Sequence, residues 1–134
     1  MPNEELILLK RYDYKKYRDY DVNPERRTWT DLITISALDV YAFHGTAYIV
    51  STYWYSMYYS DMGDRCLDLV LKVYPVDSAD VDKEETVRAI AKDTHGFIYR
   101  PKSQAIDDRT EETFTESNHR YVIRALTAFL EQNG

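Results

Sequence analysis

The side chains best suited to metal binding or nucleophilic attack are three histidines, His44, His95 and His119, and one cysteine, Cys66. A zinc site needs such ligands at short, fixed spacings, and here each histidine falls in a separate segment. A cysteine nucleophile needs a neighbouring base or cation to lower its pKa. No His or Asn stands beside Cys66, which opens an apolar alternation and reads as a small buried hydrophobe. The acidic run Asp107, Asp108, Glu111, Glu112 and Glu116 carries the oxygens that a hard cation wants. It lacks both their alternation and the glycine that bends a calcium loop, so a solvated loop is the reading. Walker A, GxGxxG, GxSxG, HExxH and CxxC motifs are absent from the sequence. The expectation is a non-enzyme with no catalytic residue, no metal and no cofactor.

One fragment points toward catalysis. Phe43-His44-Gly45-Thr46 resembles the opening motif of ADP-ribosyltransferases, in which a strand-borne histidine holds the nicotinamide ribose. The resemblance implies that Tyr53, Tyr55, Tyr58 or Tyr59 would serve in the aromatic segment, and Glu111, Glu112 or Glu116 as the late glutamate. It covers the one tetrapeptide. The family places a long helix and loop between histidine and aromatic segment, and this chain has only a short stretch there. A tight turn with Gly45 at positive φ accounts for the same residues.

The unusual feature is the 13 tyrosines. Tyr48, Tyr53, Trp54, Tyr55, Tyr58 and Tyr59 crowd into one segment. In a strand, Tyr53, Tyr55, Met57 and Tyr59 share one face, and Tyr48, Trp54 and Tyr58 the other. Two helices cannot cover both faces, so one aromatic face is expected to be at least half exposed or covered by a partner. Tyrosine and tryptophan offer rigid contact area with a polar tip, as interface hot spots do. These six residues, with Asp107 and Asp108, are the expected partner-binding set.

Those rings must be positioned by strands. From Leu6 to Tyr74 the period is near two, in β-branched and aromatic residues. Trp29, Ile33, Ile35, Tyr41 and Phe43 fall on one parity, and Leu32, Leu38 and Val40 on the other. His44-Gly45 reads as a tight hairpin, Asp61 to Asp64 as a second turn, and Cys66 to Tyr74 as a strand stopped by Pro75. Glu4 to Tyr17 fits either helix or strand, and the turn at Asn23-Pro24-Glu25 favours strand. Further on, Asp82 and Glu85 resemble a capping box ahead of Val87, Ile90 and Ala91. Gly96 stands where that helix would end. Phe97 to Arg100 reads as a short strand and Thr113-Phe114-Thr115 as extended. Ser117 caps a final helix with the stripe Val122, Ala125, Leu126, Phe129 and Leu130. The predicted fold is α+β: an antiparallel β-meander of three to four long strands with helices packed on one face.

Composition bounds the rest. A chain of 134 residues and 15.9 kDa predicts one domain spanning 1–134, able to bury about two-thirds of its surface. The single cysteine excludes a disulfide scaffold and fits a reducing compartment. The start of the chain has neither the basic residues nor the apolar length of a signal peptide. A cytoplasmic protein with no membrane attachment is expected. The formal net charge is −6, although Lys10, Arg11, Lys15, Lys16 and Arg18 form a basic stripe near the start. Net acidity repels nucleic acid at long range and favours a basic protein partner. The class expected is a small acidic, tyrosine-rich interaction module, able also to form a homodimer. In surface and size it compares with inhibitors, immunity proteins and phage or mobile-element anti-defence proteins. A phage structural or assembly subunit is the alternative, and a small ADP-ribosyltransferase-like enzyme the second.

Overall fold

In a computed structural model of the chain, the described residues are 6–59, 65–93, 95–100, 104–106 and 110–133. Four long strands come first: β1 (Leu6–Asn23), β2 (Thr28–Phe43), β3 (Thr46–Tyr59) and β4 (Arg65–Pro75). Then follow α1 (Glu84–Ala91), β5 (Phe97–Tyr99), β6 (Gln104–Ile106) and α2 (Thr110–Asn133). All pairings are antiparallel, in the order β1-β2-β3-β4-β5, with β6 also on β4. The architecture is α+β, as the two sequence periods predict.

The hairpins form where the turn chemistry allows. His44 and Gly45 join β2 to β3 with φ of 52° and 81°. Two consecutive left-handed residues make the turn whose twist matches that of the strands. Between β1 and β2, the Asn23 side chain accepts hydrogen bonds from the Glu25 and Arg26 amides, both at 3.2 Å. This replaces ladder bonds that the turn leaves unmade.

Strand alternation divides the apolar residues between two faces. Ile33, Ile35, Tyr41 and Phe43 of β2, Tyr48, Val50 and Trp54 of β3, and Leu69, Leu71 and Val73 of β4 form one core with Val122, Ala125 and Leu126 of α2. The opposite parity gives a smaller core: Val40, Ala47, Ile49, Tyr74 and Val76 with Val81 and with Val87 of α1. The helices therefore lie on opposite faces, not on one. The reason lies in β2 to β4, which are apolar at both parities near the His44–Gly45 turn, so each side needs its own cover. Among the described residues, no helix is long and apolar enough to cross a membrane.

Three local expectations are corrected. Lys83, not Asp82, precedes α1 and makes no side-chain cap; Asp77 instead caps a turn of 3-10 helix at Ser78–Asp80 by accepting from the Ala79 amide. Lys92 closes α1, and Gly96 packs against the Tyr74 ring. Thr113 to Thr115 is helical, because α2 begins at Thr110 and Ser117 lies inside it. Acidic residues following Thr110 suit a helix N-terminus, which favours negative charge. The Asp61–Asp64 turn lies outside the described residues.

Candidate interaction surface

The structure separates the tyrosines by strand parity. Tyr48 and Trp54 point under α2, and Trp54 is only 1% exposed. Tyr48 meets Phe129 edge-on at 5.9 Å between centroids, and Phe129 meets Phe97 at 5.6 Å. Both Tyr48 and Trp54 are core residues and cannot meet a partner, which corrects their place in the expected set. Tyr58, on the same parity, meets Trp29 in a tilted contact at 4.7 Å, and Trp29 stacks against Tyr20 at 5.4 Å. Three strands are thereby tied together near the β1–β2 turn. Tyr53 and Tyr55 take the other face. Tyr53 is 48% exposed, and Tyr55 and Met57 are half-buried. Tyr59 pairs in register with Thr30, and its side chain lies outside the described residues, as do Asp107 and Asp108.

The α1 face is open beyond the short helix. Strand register lays its residues out in rows: Asp19, Leu32 and Met57; then Tyr17, Thr34, Tyr55 and Asp68; then Lys15, Ser36, Tyr53 and Val70. Leu32, Thr34, Ser36 and Val70 are all half-buried. The result is an aromatic and hydroxyl floor with Asp19 and Lys15 at the β1 margin and Asp68 at the β4 margin. Asp68 is met by Arg100 at 3.4 Å. Where this floor reaches α1 it dips into a groove of about 400 Å³ lined by Ser36, Leu38, Ser51, Tyr53, Arg88 and Lys92. Arg88 is held there by Glu84 at 2.7 Å and by the Tyr12 carbonyl at 3.1 Å. Its bond to Glu84 raises its pKa further.

The edge strand β1 adds a surface that sequence reasoning overlooked. Ile7, Leu8, Leu9, Tyr14, Tyr17, Tyr20 and Val22 are all exposed on it. The basic stripe, by contrast, is partly neutralised. Arg11 donates two hydrogen bonds to Asp39, and Arg18 two to Asp31. The Asp39 bond drives the Arg11 pKa above its already high ordinary value, against the opposing effect of burial. The signal was present in the sequence: Asp31 and Asp39 share the buried parity of β2, and a buried carboxylate requires a cation.

His44 occupies a different end of the molecule. It lines a hollow of about 280 Å³ with Phe43, Thr127, Leu130 and Glu131. Counted from Thr127, Glu116 lies about 16 Å back along α2 at the usual helical rise, with Glu111 and Glu112 more distant still. The histidine and glutamates of the ADP-ribosyltransferase resemblance are thus not brought together. His95 pairs with Asp93 at 2.9 Å. Among the described residues, no three His, Cys, Asp or Glu side chains group as metal ligands would. Comparison with protein-family models, curated proteins and solved structures gives no match.

Proposed function

We propose that the chain is a non-catalytic interaction module that binds a basic protein partner on the open part of its α1 face. The observation that carries this reading is Tyr53, half exposed between Ser36 and Val70 and beside the Thr34–Tyr55 row, on a face that α1, among the described helices, meets at one end. Aromatic anchors in the centre and charge at the rim are the usual division of labour in an interface. The rim carries both signs, with Asp19 and Asp68 beside Lys15 and Arg100, and the net charge of −6 steers a cationic protein toward the molecule as a whole. Covering the basic groove of a nucleic-acid enzyme, as an inhibitor, immunity or phage anti-defence protein does, is the role this surface suits. The lone Cys66 favours a reducing, cytoplasmic setting.

The test is capture from the native host by the immobilised chain, followed by affinity measurement on the purified partner. Tyr53→Ala should weaken binding by about 2 kcal/mol with the fold intact, and Asp19→Lys should slow association less as salt rises. Equal affinity for wild type and both variants would remove the reading. A phage structural or assembly subunit is supported by a different observation, the long exposed edge of β1.

A further inference from the structure

Strand β1 is 18 residues long, well beyond the usual length of about 3–10, and among the described residues it pairs with β2 alone. Its outer edge therefore presents unpaired backbone N–H and C=O groups to another strand. Proteins ordinarily blunt such an edge with bulges, proline, brevity or charged side chains; the charges here, Lys15, Lys16, Arg18, Asp19 and Asp21, are of both signs and can pair across a two-fold axis. Here both register shifts fall early, between Leu8 and Lys10 and between Arg11 and Asp13. From Asp13 to Asn23 the strand runs in unbroken register with β2 and contains neither proline nor glycine. Along it Tyr14, Tyr17, Tyr20 and Val22 are exposed, Tyr17 at 67%. Neither core draws on this segment: Leu6 and Tyr12 are the β1 residues that pack against the cores. Of α1, Arg88 reaches this segment at its start, at Asp13.

We propose that β1 pairs antiparallel with β1 of a second copy, about a two-fold axis through Arg18, continuing one sheet across the dimer. A two-fold normal to the sheet keeps each face continuous, so opposed residues must share a parity and the axis must pass through a residue. Charge then selects which one. Centring on Lys16 opposes two Lys16 residues and sets Asp13 against Asp19. Centring on Tyr17 gains Lys15 opposite Asp19 twice but sets Asp13 against Asp21 and Lys16 against Arg18, each twice, two kinds of like-charge contact where the Arg18 axis has one. Centring on Asp19 opposes two aspartates. Centring on Arg18 sets Lys15 opposite Asp21 twice, Tyr14 opposite Val22 twice and Lys16 opposite Tyr20 twice. The two opposed arginines are each already bound to their own Asp31. Lys15 and Asp21 have no ion-pair partner among the described residues, which leaves them available to each other across the axis. Lys15 and Asp21 share the α1 face with Tyr53, but Tyr53 itself lies on β3, away from the β1 edge, so the two proposals can be tested separately.

Sedimentation of the full chain tests it. Wild type should be dimeric at high micromolar concentration. Lys15→Asp opposes two carboxylates at both symmetric positions and Asp21→Lys opposes two ammoniums, so each should raise the dimer dissociation constant at least about tenfold. Mixing the two variants should restore a dimer, because Asp at 15 of one copy then faces Lys at 21 of the other, while the second copy's Lys15 faces the first copy's Asp21. Circular dichroism checks that each variant folds. Should a single variant misfold, the chain carrying both exchanges, whose own homodimer regains both pairs, decides in its place. A monomeric wild type, dimers indifferent to either substitution, or failure of both the mixture and the double exchange to restore association would overturn the proposal. Tyr53→Ala, which leaves the β1 edge untouched, should lose affinity for a basic partner yet stay dimeric, which keeps failure of the partner reading distinguishable from failure of this one.

Discussion

Arg11 and Asp39 lie directly opposite each other on β1 and β2, joined by two parallel hydrogen bonds of 2.8 and 3.1 Å. The carboxylate is fully buried, whereas the guanidinium reaches solvent. An edge strand whose own residues are mostly exposed is thereby fastened to the sheet by the charge requirement of its neighbour. Arg11→Ala strands that carboxylate and should cost about 3 kcal/mol, at the low end for breaking a buried pair. Adding Asp39→Leu should recover part of the loss. Urea unfolding of the four members of the cycle measures the coupling, and strict additivity would show that the fork does not act as a unit.

Thr52 is buried with no hydrogen-bond partner for its hydroxyl among the described residues. It sits between Val50 and Trp54 on the core face. Thr52→Val keeps the shape and removes the unsatisfied group, so stability should rise by about 1 kcal/mol. A decrease in the unfolding midpoint would mean that the hydroxyl is bonded.

Tyr74 donates its phenolic hydrogen to the Ala91 and Asp93 carbonyls, at 3.2 and 3.0 Å. Burial, and then the Asp93 carboxylate, raise its pKa above the ordinary tyrosine value. A raised folded-state pKa means that stability is fully present below about pH 10, where the unfolded tyrosine titrates. It is then lost as pH rises through the folded-state value. Tyr74→Phe should cost about 1 kcal/mol at neutral pH and flatten the decline above pH 10. Denaturation series of both proteins across that range supply the comparison.

Gly96 lies so close to the Tyr74 ring that an added Cβ would overlap it. The ring is buried and its hydroxyl is tied to two carbonyls, so it cannot swing aside cheaply. Gly96→Ala should cost about 1–3 kcal/mol, as overpacking does. Pairing it with Tyr74→Ala should relieve much of that strain, and thermal melts would show whether it does.

Trp54 and Tyr53 are neighbours in sequence with opposite duties. Trp54→Ala should destabilise the fold by about 3–5 kcal/mol. Tyr53→Ala should change stability by no more than about 0.5 kcal/mol. Similar losses at both positions would show that the two faces of β3 are covered alike.

Much of this division was legible in the residues. The period of two from Leu6 to Tyr74 announced the long strands, and His44-Gly45 the turn, because local sterics decide both. Assigning Tyr48 and Trp54 to one face and Tyr53 and Tyr55 to the other needed only alternation. Which face a helix would cover did not follow, since alternation is symmetric and says nothing of what arrives from elsewhere in the chain. The start of α2 was misread for a related reason: Thr113 and Thr115 favour extended backbone by local preference, and a long helix overrides a preference of tenths of a kcal/mol.

Local chemistry in the sequence thus determined the strands, their turns and the pairing of side chains by face. Tertiary structure alone decided that α2 buries Trp54, that α1 is too short to cover Tyr53, and that Arg11 and Arg18 neutralise Asp39 and Asp31. Those outcomes depend on contacts between segments far apart in the chain, where burial and charge compensation are settled jointly and no single segment carries the answer.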